Sequence, residues 1–193
     1  MTVKKVGLLG GTFDPPHIGH LVMAEEARLE KSLDEIWWMP NPLPPHKEIS
    51  SATSEENRRD LVKKMVDCHP AFRLCTFEME CSRPSYTTET VRALMKEMPT
   101  IQFSFIMGGD SLENFHKWYK YEELSQLLPF IVLTRPGYEI AQPTLFRELT
   151  VIKNIKLDVS STEIRKKIKD GSLNRFLLTD AVYEYIREYR LYE

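Results

Sequence analysis

Cysteine is scarce in this chain. The three thiols, Cys68, Cys75 and Cys81, include no C-x-x-C pair and belong to no Cys/His cluster of zinc-finger spacing. A disulfide scaffold and a structural zinc site are therefore excluded, and reduced thiols in a cytoplasmic protein are expected. Long apolar runs are missing too. No stretch approaches the ~18 residues of a membrane span, and Lys4 and Lys5 precede only five largely apolar residues, too few for a signal-peptide core. No excess of one charge is present either: 26 Lys and Arg against 28 Asp and Glu leave a net charge of −2, with no block of like sign. This argues against a nucleic-acid or membrane partner, which usually selects a basic excess. It leaves room for a small polyanionic ligand, which needs only a few local cations. Repeats and low-complexity segments are also absent. A chain of 193 residues can bury roughly 70% of its unfolded surface, enough for a single domain over 1–193 held by its core alone.

What is present is an alternation of short apolar runs with amphipathic stretches. Strands are expected at Val6–Gly10, Glu35–Pro40, Phe72–Met79, Gln102–Met107 and Phe130–Thr134, with a weaker one at Val151–Leu157. Helical spacing appears from Ile18 to Lys31, over Ser54–Cys68, Tyr86–Met98, Ser111–His116 and Tyr121–Leu128, and over Thr179–Tyr189. Ser160-Ser161-Thr162-Glu163 has the form of a capping box and opens a further helix through Lys169, stopped by Gly171. The stiff proline loop Asn41–Lys47 stands between the second strand and its helix. Such alternation predicts an α/β, Rossmann-like, doubly wound, mainly parallel sheet with helices on both faces. Ligands of such sheets sit beyond the C-terminal strand ends. The segments to search are Gly10–His20, Pro40–Lys47, Gly108–Asp110, Arg135–Gly137 and Ser160–Arg165. The tyrosines Tyr183, Tyr185, Tyr189 and Tyr192 fit either core packing or an interface. A homo-oligomer is compatible with the sequence.

The first of these segments carries the chemistry. Gly10-Gly11 after a buried strand lets the backbone turn sharply and approach a ligand. Asp14 is a candidate N-cap and Pro15-Pro16 suit the first helical positions, so a helix is expected to begin there, its N–H groups directed at the strand end, an arrangement that suits phosphate. His17 and His20, three apart, project from one face of that first turn, and Gly19 between them removes a side chain where a ligand could press. Neither G-x-G-x-x-G nor a Walker G-K-[ST] is present. Two histidines without a companion carboxylate or cysteine on the same face are a weak metal signal, and no protein-held metal site is expected.

The stretch Gly10–His20, with His17-Ile18-Gly19-His20, resembles the signature of the nucleotidyltransferase superfamily marked by an H-x-G-H motif. Ser160-Ser161-Thr162-Glu163-Ile164-Arg165 resembles its partner motif. Pro44-Pro45-His46-Lys47, Ser85-Tyr86-Thr87, Gly108-Gly109-Asp110, Lys117-Trp118-Tyr119 and Arg135-Pro136-Gly137 further resemble one branch, the bacterial nicotinate-nucleotide adenylyltransferases. The resemblance runs from residue 5 to the end and is weakest over Tyr138–Asn154.

The resemblance implies transfer of the adenylyl group of ATP to nicotinate mononucleotide, with release of pyrophosphate. It implies that His17, His20 and Arg165 are catalytic, binding triphosphate oxygens, and that Gly10, Gly11, Thr12 and Phe13 offer backbone N–H groups. Ser160, Ser161 and Thr162 are expected to line the same anion site. Arg165 alternatively belongs, with Lys166, Lys167 and Lys169, to a solvated helix face. Asp110 is a candidate for ATP ribose or hydrated Mg2+, or a plain N-cap; the Mg2+ is held mainly by ATP phosphates and water. Lys47, Tyr86, Thr87, Trp118 and Arg135 are the candidate residues for nicotinate mononucleotide. Of these, Lys47 is alternatively an exposed loop lysine and Trp118 a core tryptophan. Rival readings are phosphopantetheine adenylyltransferase, an aminoacyl-tRNA synthetase and a non-catalytic nucleotide-binding module. His17 and the Trp118 region speak against the first. The second would need a tRNA-binding domain for which 193 residues leave no room, and the third leaves the motif set without a purpose.

Overall fold

The apolar runs form six parallel strands in the computed structural model, which describes residues 3–42, 53–80, 85–134, 143–153 and 159–193. They are β1 (Lys4–Gly11), β2 (Glu35–Pro40), β3 (Phe72–Leu74), β4 (Ile101–Gly108), β5 (Phe130–Leu133) and β6 (Leu149–Ile152), in the order β3-β2-β1-β4-β5-β6. Between and after them run α1 (Ile18–Glu30), α2 (Glu55–Val66), α3 (Phe77–Glu80), α4 (Thr87–Glu97), α5 (Gly109–Glu113), α6 (Tyr121–Leu127), α7 (Ser161–Lys169) and α8 (Asp180–Glu188). Strand order reverses between β1 and β4, which pair in register from Lys4↔Ile101 to Leu9↔Ile106. Their C-terminal ends therefore flank the crevice in which such sheets bind ligands.

Because strand side chains alternate, the sheet feeds two cores, one on each face. On one face Leu9, Ile36, Trp38, Ile106 and Ile131 pack with Ala24 and Ala27 of α1, Leu61 and Met65 of α2, Ile164 of α7 and Val182 and Ile186 of α8. On the other, Val6, Leu8, Phe103, Phe105, Phe130 and Val132 meet Val91 and Leu94 of α4 and Leu124 of α6. Gly7 belongs to the first face for a steric reason. A Cβ there would lie 2.6 Å from the Ile106 side chain and 2.9 Å from those of Ile36 and Leu33.

Caps follow the sequence closely. Ser54, Ser160 and Thr179 each accept a backbone N–H through the side-chain oxygen, from Asn57, Glu163 and Val182 respectively. Gly171 ends α7 at φ +65°, where a Cβ is disfavoured. Three expectations need correction. The third strand stops at Leu74, because Thr76 starts a helical turn: its carbonyl accepts from Met79 and Glu80 and its hydroxyl donates to Glu80 at 2.5 Å. The first helix begins at Ile18, not at the prolines. The weak last strand lies two residues earlier, at Leu149–Ile152, and residues 154–158 fall outside the described residues. No helix among the described residues is long and apolar enough to cross a membrane.

Glu78, on α3, is 4% exposed and its Oε1 has no hydrogen-bond partner among the described residues. Burial pushes its carboxyl up to about 7, against a smaller opposing effect of the Thr90 hydroxyl. A carboxyl whose folded value is raised binds more protons folded than unfolded. Its stabilising contribution is complete below about 4.5 and is lost as pH rises through about 7. Glu78→Gln is therefore expected to gain up to about 3 kcal/mol relative to the parent between pH 5 and pH 8. Paired thermal or denaturant unfolding at the two pH values checks this, and a pH-independent difference contradicts it.

Candidate active site

A crevice of about 540 Å³ opens at the switch point between β1 and β4, within the usual size of a ligand site. It is lined by Gly10–Asp14, His17, Gly19 and His20 from the β1–α1 connection, by Gly108, Gly109 and Asp110 after β4, and by Ser160, Ser161, Thr162 and Arg165 at the start of α7. Three of the predicted strand-end segments thus meet in one cavity. All of the residues expected to hold ATP line it.

His17, not Asp14, is the N-cap of α1, with extended backbone at φ −146° and ψ 174°. His20 is the third helical residue, and its Nδ1 accepts the His17 backbone N–H at 3.2 Å. An Nδ1 that accepts carries no proton, so the proton of the neutral ring resides on Nε2, which is left as a donor. The two imidazoles pack at 3.8 Å between centroids. Gly19 makes this possible: a Cβ there would lie 2.9 Å from His17 Nδ1 and 3.0 Å from its Cε1. The space that the glycine vacates is filled by the His17 ring, rather than being kept open for a ligand. Burial lowers the His17 pKa to about 4. Burial, and then the neighbouring His17, hold His20 well below the ordinary histidine value. Both rings are neutral at pH 7, so they contribute hydrogen bonds and not formal charge.

Ahead of them the loop is held by buried contacts. Phe13 sits at φ +52°, a left-handed conformation unusual for an aromatic residue. Its ring is buried against Trp38 at 5.4 Å and His20 at 5.0 Å, which compensates the strain. Gly10 and Gly11 give room to rings as well. Cβ atoms there would come within 3.1 Å of Phe105 and 3.0 Å of Phe13.

The second motif grips the first. Arg165 Nη1 donates to the Asp14 carbonyl at 2.7 Å and Ser161 Oγ to the Pro15 carbonyl at 2.8 Å. Arg165 Nη2 reaches Thr162 Oγ1 at 3.4 Å. Arg165 is therefore not part of a solvated helix face. Ser160 and Ser161 spend their hydroxyls on the α7 cap and on Pro15. At that end the first N–H groups of α7 have no acceptor within the helix. Asp110 is not an N-cap, because Gly108 takes that position for α5; Asp110 is one of the residues that line the cavity.

Of the residues expected for the second substrate, Tyr86, Thr87 and Trp118 do not line this cavity. Tyr86 is the N-cap of α4 and stacks on Tyr119 at 4.3 Å. Thr88 Oγ1 donates to the Tyr119 carbonyl at 2.7 Å, joining the start of α4, which begins at Thr87, to the Trp118–Tyr119 turn. Trp118 is half-buried, edge-on to Phe105 at 5.9 Å, and Phe105 is the ring under Gly10. This second cluster thus touches the first through one phenylalanine. Lys47 and Arg135 lie outside the described residues. Residues not anticipated in the crevice include Met23, Met107, Glu113, Leu133, Thr134 and Val159. Met107, Leu133 and Thr134 close β4 and β5, so the strand-end rule could have found them.

A paired H-x-G-H turn and Ser/Thr/Arg helix start, converging at the switch point of a doubly wound sheet, define the class of nucleotidyltransferases. Residues 8–167 match the family model described as cytidylyltransferase-like. The chain is 43% identical over 193 residues to the nicotinate-nucleotide adenylyltransferase of Bacillus subtilis (strain 168), covering 99% of this chain and 100% of the relative. It is 41% identical over 192 residues to a probable nicotinate-nucleotide adenylyltransferase of Oceanobacillus iheyensis, covering 98% and 97%. Its fold is similar to that of Plasmodium falciparum nicotinic acid mononucleotide adenylyltransferase complexed with NaAD, at a TM-score of 0.82 and 21% identity over 98% of this chain and 97% of that one. The chain belongs to the cytidylyltransferase-like family and, within it, to the nicotinate-nucleotide adenylyltransferases.

The neutral state of His17 has a measurable cost. A base with a depressed folded pKa binds fewer protons folded than unfolded, so stability is complete above about 6.5 and is lost as pH falls toward about 4. The loss reaches about 3 kcal/mol. Unfolding free energies measured from pH 7 to pH 4.5 are expected to fall more steeply for the parent than for His17→Gln. Parallel curves would contradict the assignment.

Proposed function

We propose that the crevice transfers the adenylyl group of ATP to nicotinate mononucleotide, giving nicotinate adenine dinucleotide and pyrophosphate, a reaction of NAD biosynthesis. The observation that carries this reading is the convergence of the two motifs. Arg165 and the start of α7 are bonded to the loop that ends in His17 and His20, so one anion can touch all of them at once.

The triphosphate lies over Gly10–Phe13 and the α7 N-terminus. Backbone N–H groups, the His20 Nε2–H and the Arg165 guanidinium hold its oxygens. His17 and His20 bind triphosphate oxygens, with His20 nearest the transferring α-phosphoryl, and Arg165 takes the β- and γ-phosphates. The nucleophile is the phosphate monoester of nicotinate mononucleotide, whose second pKa near 6 leaves it mostly dianionic at neutral pH. No general base is needed. A phosphate oxygen bonds to the α-phosphorus, the bond to the bridging oxygen breaks, and pyrophosphate departs with the electron pair. Catalysis is positioning plus stabilisation of spreading charge by donors already in place. Mg2+ accompanies ATP and neutralises part of its charge. Among the described residues no group of three or more His, Cys, Asp or Glu could cage it, while Asp110 and Glu113, which line the crevice, carry the hard oxygen donors that suit a hydrated ion.

The acceptor is placed at the second cluster. Its pyridine ring stacks on Trp118, and its carboxylate faces the N-terminus of α4 at Tyr86 and Thr87, with Lys47 and Arg135 serving its phosphate and ribose side. A carboxylate at a helix N-terminus is favoured by the dipole, and a neutral amide is not.

Pyrophosphate release, measured with ATP and each acceptor in turn, tests the reading. Release is expected to require nicotinate mononucleotide and to be slower with nicotinamide mononucleotide, and equal rates would overturn the acid preference. His20→Ala is expected to lose at least about 10²-fold in turnover with the fold retained. Undiminished turnover would remove His20 from the mechanism.

A further inference from the structure

Behind the Gly10–His20 loop lies a buried polar cluster that the reaction does not use directly. Asp14 is 3% exposed. Its Oδ1 accepts the Tyr192 hydroxyl at 2.8 Å and the Thr53 backbone N–H at 3.3 Å. Its Oδ2 stands 3.8 Å from Arg165 Nη1, the nitrogen that donates to the Asp14 carbonyl. From α2, the fully buried Arg58 donates through Nη1 to the carbonyls of Thr12 at 3.0 Å and Asn41 at 2.6 Å. The loop is thus tied to the end of β2 and to the segment after α8. That segment turns back through two residues with left-handed backbone, Arg190 at φ +50° and Tyr192 at φ +69°. Non-glycine residues in this region cost of order 1 kcal/mol or more each, and such strain persists where the surroundings over-determine it.

We propose that Tyr192 is a positioning residue for ATP, acting through Asp14 on Arg165. The Tyr192 hydroxyl and the Thr53 N–H hold Oδ1, which turns the carboxylate so that Oδ2 faces Arg165 at 3.8 Å instead of closing a two-point ion pair with it. The guanidinium is then anchored by the Asp14 carbonyl and keeps the rest of its donor fork for phosphate. A carboxylate 3 to 4 Å from an arginine is its natural bidentate partner. Without the hydroxyl, the Asp14 carboxylate rotates toward Arg165 and competes with the triphosphate for the same N–H groups. The hydroxyl serves as a donor throughout, since burial and the Asp14 charge raise its pKa far above the physiological range. The inference rests on the reading of Arg165 as a phosphate-binding group given above.

Tyr192→Phe removes the hydroxyl and keeps the ring that packs against the core. Two readouts separate this proposal from the reading on which it depends. The first is the Kd of an ATP analogue with a non-cleavable α,β-bridge, measured by calorimetry without acceptor. The second is steady-state turnover with ATP and nicotinate mononucleotide. The Kd of the analogue and the KM for ATP are expected to rise about five- to tenfold, the size of one ordinary hydrogen bond. The kcat, the KM for nicotinate mononucleotide and the thermal midpoint are expected to stay close to the parent values. An unchanged Kd overturns the proposal. So does a loss spread over kcat and both KM values together with a lowered midpoint, which would mark Tyr192 as a structural prop. If the parent binds the analogue but does not turn over nicotinate mononucleotide, the substrate assignment fails while the Tyr192 effect on the Kd still stands or falls by itself.

Discussion

The hydrogen bond from Arg165 to the Asp14 carbonyl spans 151 residues of sequence, and it joins the two halves of the crevice. One half of the site, the Gly10–His20 turn, is the outcome of β1 ending at a switch point. The other half, the start of α7, arrives from the far side of the sheet after β6. Neither half alone surrounds an anion. The Arg165 and Ser161 bonds to consecutive backbone carbonyls fix their separation and orientation, and buried Arg58 fixes the loop from behind. Donors held in this way need no reorganisation when charge develops on a substrate, which is the condition under which they lower a barrier most.

Electrostatically the site relies on direction more than on formal charge. The histidines of the motif look, in sequence, like a source of positive potential. In the structure they are pressed together over a glycine, half or fully buried, and held neutral. The tautomer of His20 is set by its own helix start, which leaves its Nε2–H as an aimed donor. Arg165 is the permanent cation among the predicted ATP-site residues, and backbone N–H groups at the α7 start complete the cradle. A net charge of −2 is compatible with this because helix dipoles and peptide groups do not enter a count of ionisable residues.

Much of this was legible beforehand. Hydrophobic periodicity located the strands and most helices, since both faces of the sheet are covered and each strand must be apolar. The S-x-x-E and Gly171 signals marked both ends of α7. The strand-end rule selected the segments that form the crevice. What was not legible depended on contacts distant in sequence. Asp14 reads locally as an N-cap and becomes a buried anchor only because Tyr192 and Arg165 reach it. Gly19 reads as an opening for a ligand, whereas the ring of His17 two residues earlier takes that space. Phe72–Met79 alternates like one strand, but the local Thr76–Glu80 hydrogen bonds turn its second half into a helix. Trp118 reads as a site residue, and only packing reveals that a single ring, Phe105, lies between it and Gly10 of the crevice.

The central claim is that a preorganised cradle promotes one direct displacement at the α-phosphorus, without any side chain of the protein becoming covalently attached. The stereochemical course at that atom tests it most directly. Turnover of ATP made chiral at the α-phosphorus with sulfur, followed by configurational analysis of the dinucleotide, is predicted to show inversion. Retention would require two successive displacements through a protein-bound adenylyl group and would contradict the account.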